Sequence, residues 1–199
     1  MSAFPPLGQL LPEAVQLPGL PKLPLVDEPL TGSCILRRLP PETLQPAFQQ
    51  RMSQKPPGTL VGLWCEAPEQ GEIACELPWI DALIVEYNPF VPQADEELFW
   101  RAQQVGKAIW VRNPDGLEAP ETVRQQRLQR WDDILADFPE FQQHRCWLAS
   151  AFVRHPQAVT TLLYRQPDPA WEQALALPSL DQAQSFRVKR RAVGLDPFS

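Results

Sequence analysis

Proline is the feature of this sequence that most restricts the folds available to it. The chain has 24 prolines among its 199 residues, about 12% where ~5% is typical of proteins. Each proline lacks a backbone N–H donor and holds its φ angle near one value, so long uninterrupted helices and central strands are disfavoured. We therefore expect short elements separated by frequent turns.

The amino-terminal segment combines these prolines with closely spaced leucines. Residues 1–31 contain the run LLPEAVQLPGLPKLPLVDEPL. Because proline disfavours helical conformation in the residue before it, this segment is predicted to be an extended, polyproline-like arm. Its apolar side chains indicate that the arm lies in a groove, either of its own domain or of a protein partner. Leu17, Leu20 and Leu23 are the candidate partner-binding residues of the arm.

The composition of the whole chain is that of a globular protein. Hydrophobic residues make up 44% and charged residues 21% of the sequence, close to globular averages, and a chain of this length can bury a sizeable single core. We predict one α/β domain over residues 32–180. An irregular basic tail over residues 181–199 is expected to follow it.

The central part of this domain has the pattern of a strand, a helix and a second strand. Apolar runs at 81–88 and 107–114 predict buried strands. The segment between them, at 94–106, has apolar residues on one face and a glycine at its end, which predicts a helix. Elements in this order favour a parallel βαβ unit from Asp81 to Asn113.

The rest of the domain is predicted to add strands and flanking helices to a mixed sheet. Residues 71–79 are predicted to pair with the strand before them as a hairpin, and residues 147–153 to pair with 158–165, with a helix as the alternative for 147–153. The other predicted elements are strands at 34–39 and 59–66 and helices at 40–54, 121–138 and 170–177. The predicted fold class is thus α/β, with one βαβ unit, a proline-rich arm and an irregular tail.

The charge of the chain bears on its possible partners. A net charge of −6 disfavours binding to duplex nucleic acid, whose phosphates favour basic surfaces. The exception is a basic cluster near the carboxyl end, which is either a docking site for an acidic partner, nucleic acid included, or a solvated surface. This cluster consists of Arg187, Lys189, Arg190 and Arg191.

Cysteines and sequence motifs exclude several classes of protein. The four cysteines include no C-x-x-C pair, which argues against a zinc site and against a disulfide framework. No signal-peptide pattern is present, and no apolar run reaches the ~18 residues of a membrane span, so a soluble, cytoplasmic protein is expected. Phosphate-binding glycine motifs, H-E-x-x-H and G-x-S-x-G are absent from the sequence. We therefore predict no metal and no cofactor.

Topology indicates where a small-molecule site would lie. In parallel α/β sheets, ligands bind beyond the carboxyl ends of the strands. The candidate catalytic residues there are Glu86, Arg112 and Asp115, and the candidate ligand-binding residues are Glu66, Asn88 and Asn113. Glu86 is a possible general acid or base and Arg112 a possible anion clamp.

Three functions are compatible with these features. The first is a non-catalytic accessory or assembly protein that binds a protein partner through the arm and surface patches. The second is an enzyme or ligand-binding domain for a small polar molecule at the strand ends. The third is a subunit of a nucleic-acid-binding complex. Whether the chain is an enzyme stays open, although the lack of catalytic motifs favours the first function.

Overall fold

The computed structural model describes residues 13–16, 34–36, 45–54, 60–91, 96–141, 144–156, 159–164, 169–174 and 176–194. These residues form one six-stranded sheet with helices packed against it. In chain order, the elements are β1 (Glu13–Gln16), β2 (Cys34–Leu36), α1 (Pro46–Ser53), β3 (Val61–Trp64), α2 (Pro68–Glu76), β4 (Ala82–Glu86), α3 (Glu96–Gln104), β5 (Ala108–Arg112), α4 (Glu121–Ala136), a 3₁₀ turn (Pro139–Phe141), α5 (Arg145–Val153), β6 (Val159–Tyr164), α6 (Pro169–Ala174) and α7 (Gln182–Ala192).

The strands follow one another across the sheet almost in chain order, as β1-β6-β5-β4-β3-β2. Neighbours from β2 to β6 are parallel, and β1 pairs antiparallel with β6 at the edge. The predicted α/β class with a mixed sheet is therefore confirmed. The predicted βαβ unit corresponds to β4, α3 and β5, whose strands pair from Ala82 opposite Ala108 to Glu86 opposite Arg112.

The predicted hairpin at residues 71–79 is wrong, because Pro68–Glu76 forms helix α2. Pro68 lies in the first turn, where a missing N–H costs no hydrogen bond, and Glu69 beside it is favoured by the helix dipole. The parallel pairing of β3 with β4 also requires a crossover, which a tight hairpin does not provide. A second βαβ unit, β3-α2-β4, therefore adjoins the predicted one.

The predicted hairpin of residues 147–153 with 158–165 is also wrong, and the helical alternative for the first segment is correct. Arg145–Val153 forms helix α5, and β6 pairs parallel with β5. All residues from Leu148 to Val153 are buried. A helix that is apolar on all sides has no helical periodicity in its sequence, so a short apolar run of this kind does not distinguish helix from strand.

The predicted irregular tail is wrong for residues 182–192, which form helix α7. The Asp181 side chain accepts a hydrogen bond from the Gln184 amide, and the Gln184 side chain accepts one from the Asp181 amide, which completes a capping box. Val188 and Ala192 of this helix belong to the main core. Residues 195–199 lie outside the described part of the chain.

Alternating strand residues supply two apolar clusters, one on each face of the sheet. The larger cluster contains Val61, Leu63, Leu83 and Val85 together with buried residues of α2 to α5 and of α7. The smaller cluster, on the opposite face, contains Ala82, Ile84, Trp110 and Leu163. Because successive strand residues alternate between the two faces, Glu86 and Arg112 lie on the same face as the smaller cluster. Their side chains therefore point away from the main core.

The amino-terminal arm is described only at Glu13–Gln16, which forms β1. The rest of the predicted arm, including Leu17, Leu20 and Leu23, lies outside the described residues. Within the described ranges, no helix has the length and apolar character needed to cross a membrane.

Candidate functional site

The register of the three central strands brings their carboxyl ends to one edge of the sheet. Trp64 of β3 pairs with Ile84 of β4, which pairs with Trp110 of β5. The Cys65 amide extends this pairing by donating to the Ile84 carbonyl over 2.8 Å. The side chains predicted for the site therefore start from neighbouring positions.

Glu86 and Arg112 form an ion pair at this edge. Glu86 Oε2 lies 2.9 Å from Arg112 Nη1, and the two side chains are 24% and 18% exposed. The Arg112 guanidinium also lies over the Trp64 ring, 4.8 Å from its centroid, an arrangement favoured by the ring quadrupole. Because the pair is largely shielded from water, it is screened less than a surface ion pair.

The Glu86 carboxylate is held by two amide side chains in addition to Arg112. Glu86 Oε1 accepts hydrogen bonds from Asn88 Nδ2 over 3.2 Å and from Asn113 Nδ2 over 2.8 Å. Three donors therefore surround one carboxylate. Both carboxylate oxygens are thus engaged by the protein itself, so the geometry of Glu86 suits anchoring Arg112 better than acid-base chemistry.

Asn88 and Asn113 are buried and connect the loops that follow β4 and β5. Asn88 Oδ1 accepts from the amides of Phe90 and Val91, both over 3.0 Å, and Asn88 Nδ2 donates to the Asn113 carbonyl over 3.1 Å. Asn113 Oδ1 accepts from the Glu118 amide over 2.8 Å. Both amides are thus engaged with the protein itself, and their role here is to hold the two loops together.

A cavity of about 230 Å³ opens at this edge, and we call it the carboxyl-edge cavity. Its polar lining comes from Glu66, Glu86 and Arg112, and its remaining walls are mostly apolar. The full set of lining residues is Cys65, Glu66, Ala67, Pro68, Val85, Glu86, Val91, Leu98 and Arg112. Three of the six residues predicted for the strand-end site therefore line one cavity.

Asp115 does not line the carboxyl-edge cavity. Its Oδ1 accepts from the Leu117 amide over 3.1 Å, and its Oδ2 lies 3.6 Å from Arg145 Nε. Its carbonyl accepts from Trp131 Nε1 over 2.8 Å. These contacts join the loop after β5 to α4 and α5, which is a structural role.

Cys65 lies in the cavity wall as a protonated thiol. Burial, with a smaller contribution from nearby Cys75, raises the pKa of the Cys65 thiol to about 12. Since the thiolate is the nucleophilic form, Cys65 is not activated for covalent chemistry near neutral pH. Its Sγ donates a weak hydrogen bond to the Leu63 carbonyl.

Sequence reasoning missed the apolar walls and the stacking partner of Arg112. Val91 and Leu98 come from the segment after β4 and from α3, and no local pattern relates them to the strand ends. Trp64 could have been included among the strand-end candidates, because it is the last residue of β3, which lies next to β4. Its pairing with Arg112 depends on the register across three strands, which the sequence does not specify.

A second cavity, of about 550 Å³, lies at the amino ends of the strands. Its charged groups are engaged in fixing the chain: Lys107 Nζ donates to the carbonyls of Leu77 and Ile80, and Asp81 Oδ2 accepts from the Val61 amide. Ligands of parallel α/β sheets bind at the carboxyl edge. We therefore take the carboxyl-edge cavity as the candidate site.

The basic cluster lies on α7, where two of its arginines bind Asp137 of the same chain. Arg191 Nε and Nη2 donate to Asp137 Oδ2 and Oδ1 over 2.6 and 3.1 Å, and Arg187 Nε lies 3.8 Å from Oδ2. Lys189 and Arg190 lie on the same helix. The charges of Arg187 and Arg191 are thus partly neutralised within the molecule.

Within the described ranges, no group of three or more His, Cys, Asp or Glu side chains is arranged to hold a metal ion. Comparison with known proteins adds no family: no protein-family model matches this chain, and no curated protein matches its sequence. The geometry of the carboxyl-edge cavity is therefore the guide to the function of the chain.

Proposed function

We propose that this chain is a binding domain for a small polar molecule, which it holds in the carboxyl-edge cavity. The observation that carries the proposal is the partly buried Glu86–Arg112 pair, which lies in the wall of a cavity at the carboxyl ends of parallel strands. Ligand sites in proteins combine apolar walls with a few fixed polar groups. The position of this cavity agrees with the general rule for α/β sheets.

The size of the cavity favours a ligand of metabolite size. Its volume of about 230 Å³ is below the ~300–1,000 Å³ typical of sites for drug-sized molecules. The apolar walls, which include Val85 and Leu98, favour a ligand with some apolar surface. A large polymer would have to bind elsewhere.

Binding is better supported than catalysis. Glu86 is surrounded by three donors, and the pKa of the Cys65 thiol is raised to about 12. A general base needs a free carboxylate within reach of the substrate proton, and a cysteine nucleophile needs an accessible thiolate. Neither condition is met by these residues.

Partner binding through the amino-terminal arm stays a prediction, because Leu17, Leu20 and Leu23 lie outside the described residues. Binding of nucleic acid through the basic cluster also stays a prediction. The ion pairs that Arg187 and Arg191 form with Asp137 reduce the charge available for such a partner. The cavity is therefore the feature on which a functional test should be based.

The test is an NMR screen of the ¹⁵N-labelled protein against a set of small polar metabolites. We expect at least one compound to shift the amide signals of Val85, Glu86, Leu98 and Arg112 in a saturable manner. The variant Ala67→Phe, which places a ring in the cavity wall, should abolish these shifts. Ala176→Phe, at an exposed position outside the cavity, is the matched control and should leave them unchanged.

The proposal is contradicted if no compound shifts the cavity signals. It is equally contradicted if the compounds that bind are unaffected by Ala67→Phe, since their site is then elsewhere. Circular dichroism of both variants establishes that a loss of binding is not a loss of folding.

A further inference from the structure

The Arg112 guanidinium has hydrogen-bonding capacity beyond its contact with Glu86. Its Nη1 is used in the ion pair, whereas its Nε is buried and has no hydrogen-bond partner among the described residues. A buried donor without a partner is costly. A ligand that supplies an acceptor at this edge of the guanidinium would remove that cost.

The free edge of Arg112 matches the geometry of a carboxylate. Arginine presents adjacent N–H donors in a plane, and a carboxylate accepts two parallel hydrogen bonds from them. Because Nη1 is engaged by Glu86, a ligand carboxylate would bind at the Nε–Nη2 edge, with a small movement of the side chain that exposes the buried Nε. The Trp64 ring, with its centroid 4.8 Å from the guanidinium carbon, and the ion pair with Glu86 limit the rotamers of Arg112, so little side-chain entropy is lost when a ligand binds.

The charges around the cavity favour one negative charge on the ligand over two. The Glu86 charge is compensated by Arg112 and by two amide donors. Glu66 adds a second carboxylate to the lining and is exposed to solvent. A dianion such as hydrogen phosphate would be repelled by two carboxylates and attracted by one guanidinium.

The walls next to Arg112 are apolar. Val85, Val91 and Leu98 line the cavity together with Ala67 and Pro68. These side chains are suited to a short hydrocarbon body attached to the charged group.

We propose that the ligand is a small organic monocarboxylate with a short apolar body, and that its carboxylate is bound by Arg112. This inference rests on the proposed binding function and specifies its ligand class. Glu86 acts as a positioning residue that orients Arg112, and Val85, Val91 and Leu98 contact the hydrocarbon part of the ligand.

The test compares compounds that share one carbon skeleton and differ in the head group. Dissociation constants of pentanoate, pentanamide and pentylamine are measured by NMR titration of the cavity amides, with inorganic phosphate as a further probe. We expect pentanoate to bind, the amide to bind at least about tenfold more weakly because a charge-assisted hydrogen bond is lost, and the amine and phosphate to leave the cavity signals unchanged.

Two substitutions of Arg112 separate its role in recognition from its role in folding. Arg112→Ala removes the clamp but also leaves the Glu86 carboxylate without its ion pair, so this variant is expected to lose stability. Arg112→Lys keeps a positive charge beside Glu86 and lacks the planar donor edge. We expect the lysine variant to stay folded and to bind pentanoate about tenfold or more weakly. Arg124→Ala, at an exposed position on α4, is the control and should not change binding.

The possible failures are distinguishable. If pentylamine or pentanamide binds in the cavity as tightly as pentanoate, the carboxylate class is wrong while the binding function holds. If Arg112→Lys binds pentanoate as tightly as the unchanged protein, Arg112 is not the clamp. If none of the probes, nor any compound of the wider metabolite screen, shifts the cavity signals, the proposed function itself fails.

Discussion

Asn113 shows how one residue supports the site through both its backbone and its side chain. Its φ angle of 52° lies in the left-handed region, which asparagine and glycine tolerate better than other residues. Its side-chain amide donates to Glu86 Oε1 and to the Glu118 carbonyl, and accepts from the Glu118 backbone N–H. The turn after β5 therefore depends on a residue that has both the backbone tolerance and these three hydrogen bonds.

Substitution of Asn113 separates these two contributions. Asn113→Ala should lower the free energy of unfolding by about 2–3 kcal/mol, because three side-chain hydrogen bonds are lost and alanine is strained in this conformation. Asn113→Gly loses the same hydrogen bonds without the strain, and should cost ~1 kcal/mol less. Urea unfolding of the three proteins measures the differences. Equal stability of the two variants would show that the backbone conformation contributes nothing.

Cys65 gives a prediction for chemical reactivity. Because burial raises the pKa of its thiol to about 12, the thiolate fraction at neutral pH is very small and increases as the pH approaches that value. In the folded protein, iodoacetamide at pH 8 should modify Cys65 far more slowly than in urea, as followed by mass spectrometry of the peptide that contains it. Rapid modification of the folded protein would contradict the buried, protonated thiol.

At the scale of elements, the packing of α7 against the end of α4 depends on a paired carboxylate. Asp137 follows α4 directly and is 17% exposed, and its hydrogen bond from Arg191 lowers its pKa. A carboxyl group whose pKa is lower in the folded than in the unfolded chain stabilises the fold at pH values above its pKa in the unfolded chain. That stabilisation is lost as the pH falls through the pKa of the group in the folded protein.

Asp137→Asn should therefore destabilise the protein at neutral pH and have less effect in acid. We expect the free energy of unfolding to fall by about 1.5–3 kcal/mol at pH 7, the range for hydrogen bonds to charged groups. The difference from the unchanged protein should shrink as the pH falls below the usual aspartate value of ~3.9. Urea unfolding at a series of pH values measures this difference in the free energy of unfolding.

Asp133→Asn is the control, because its partner Arg130 lies 3.9 Å away at the surface. This substitution should lower the free energy of unfolding by less than Asp137→Asn does. A loss that does not depend on pH would show that the charge of Asp137 is not the cause.

The elements predicted best from the sequence are those with a clear hydrophobic period or unambiguous ends. Strands β4 and β5 and helix α3 lie within the predicted segments, because turn residues bound each apolar run. Helix α2 was predicted as a strand, and α5 as a strand with a helix as the alternative, since short apolar runs fit both structures. Helix α7 was not predicted, because its run of basic residues is typical of a solvated tail. The capping box at its start and the buried Val188 were not recognised in the sequence.

For the whole molecule, the sequential parallel sheet explains why part of the site was predictable. Parallel strands have their carboxyl ends at the same edge of a sheet. This rule brings together three residues that end or follow neighbouring strands, namely Glu66, Glu86 and Arg112. The same rule cannot distinguish residues that face the cavity from those that tie loops together. Asn88, Asn113 and Asp115 form hydrogen bonds within the chain, and these contacts depend on loop conformations that the sequence pattern does not encode.

The central claim, that the carboxyl-edge cavity binds a small carboxylate through Arg112, is tested most directly by a crystal structure of the protein with pentanoate. We predict that the carboxylate lies within hydrogen-bond distance of the Arg112 guanidinium, with the hydrocarbon chain between Val85 and Leu98. Pentanoate bound at another surface, or a cavity that contains no pentanoate at a concentration that saturates the NMR titration, would contradict the account.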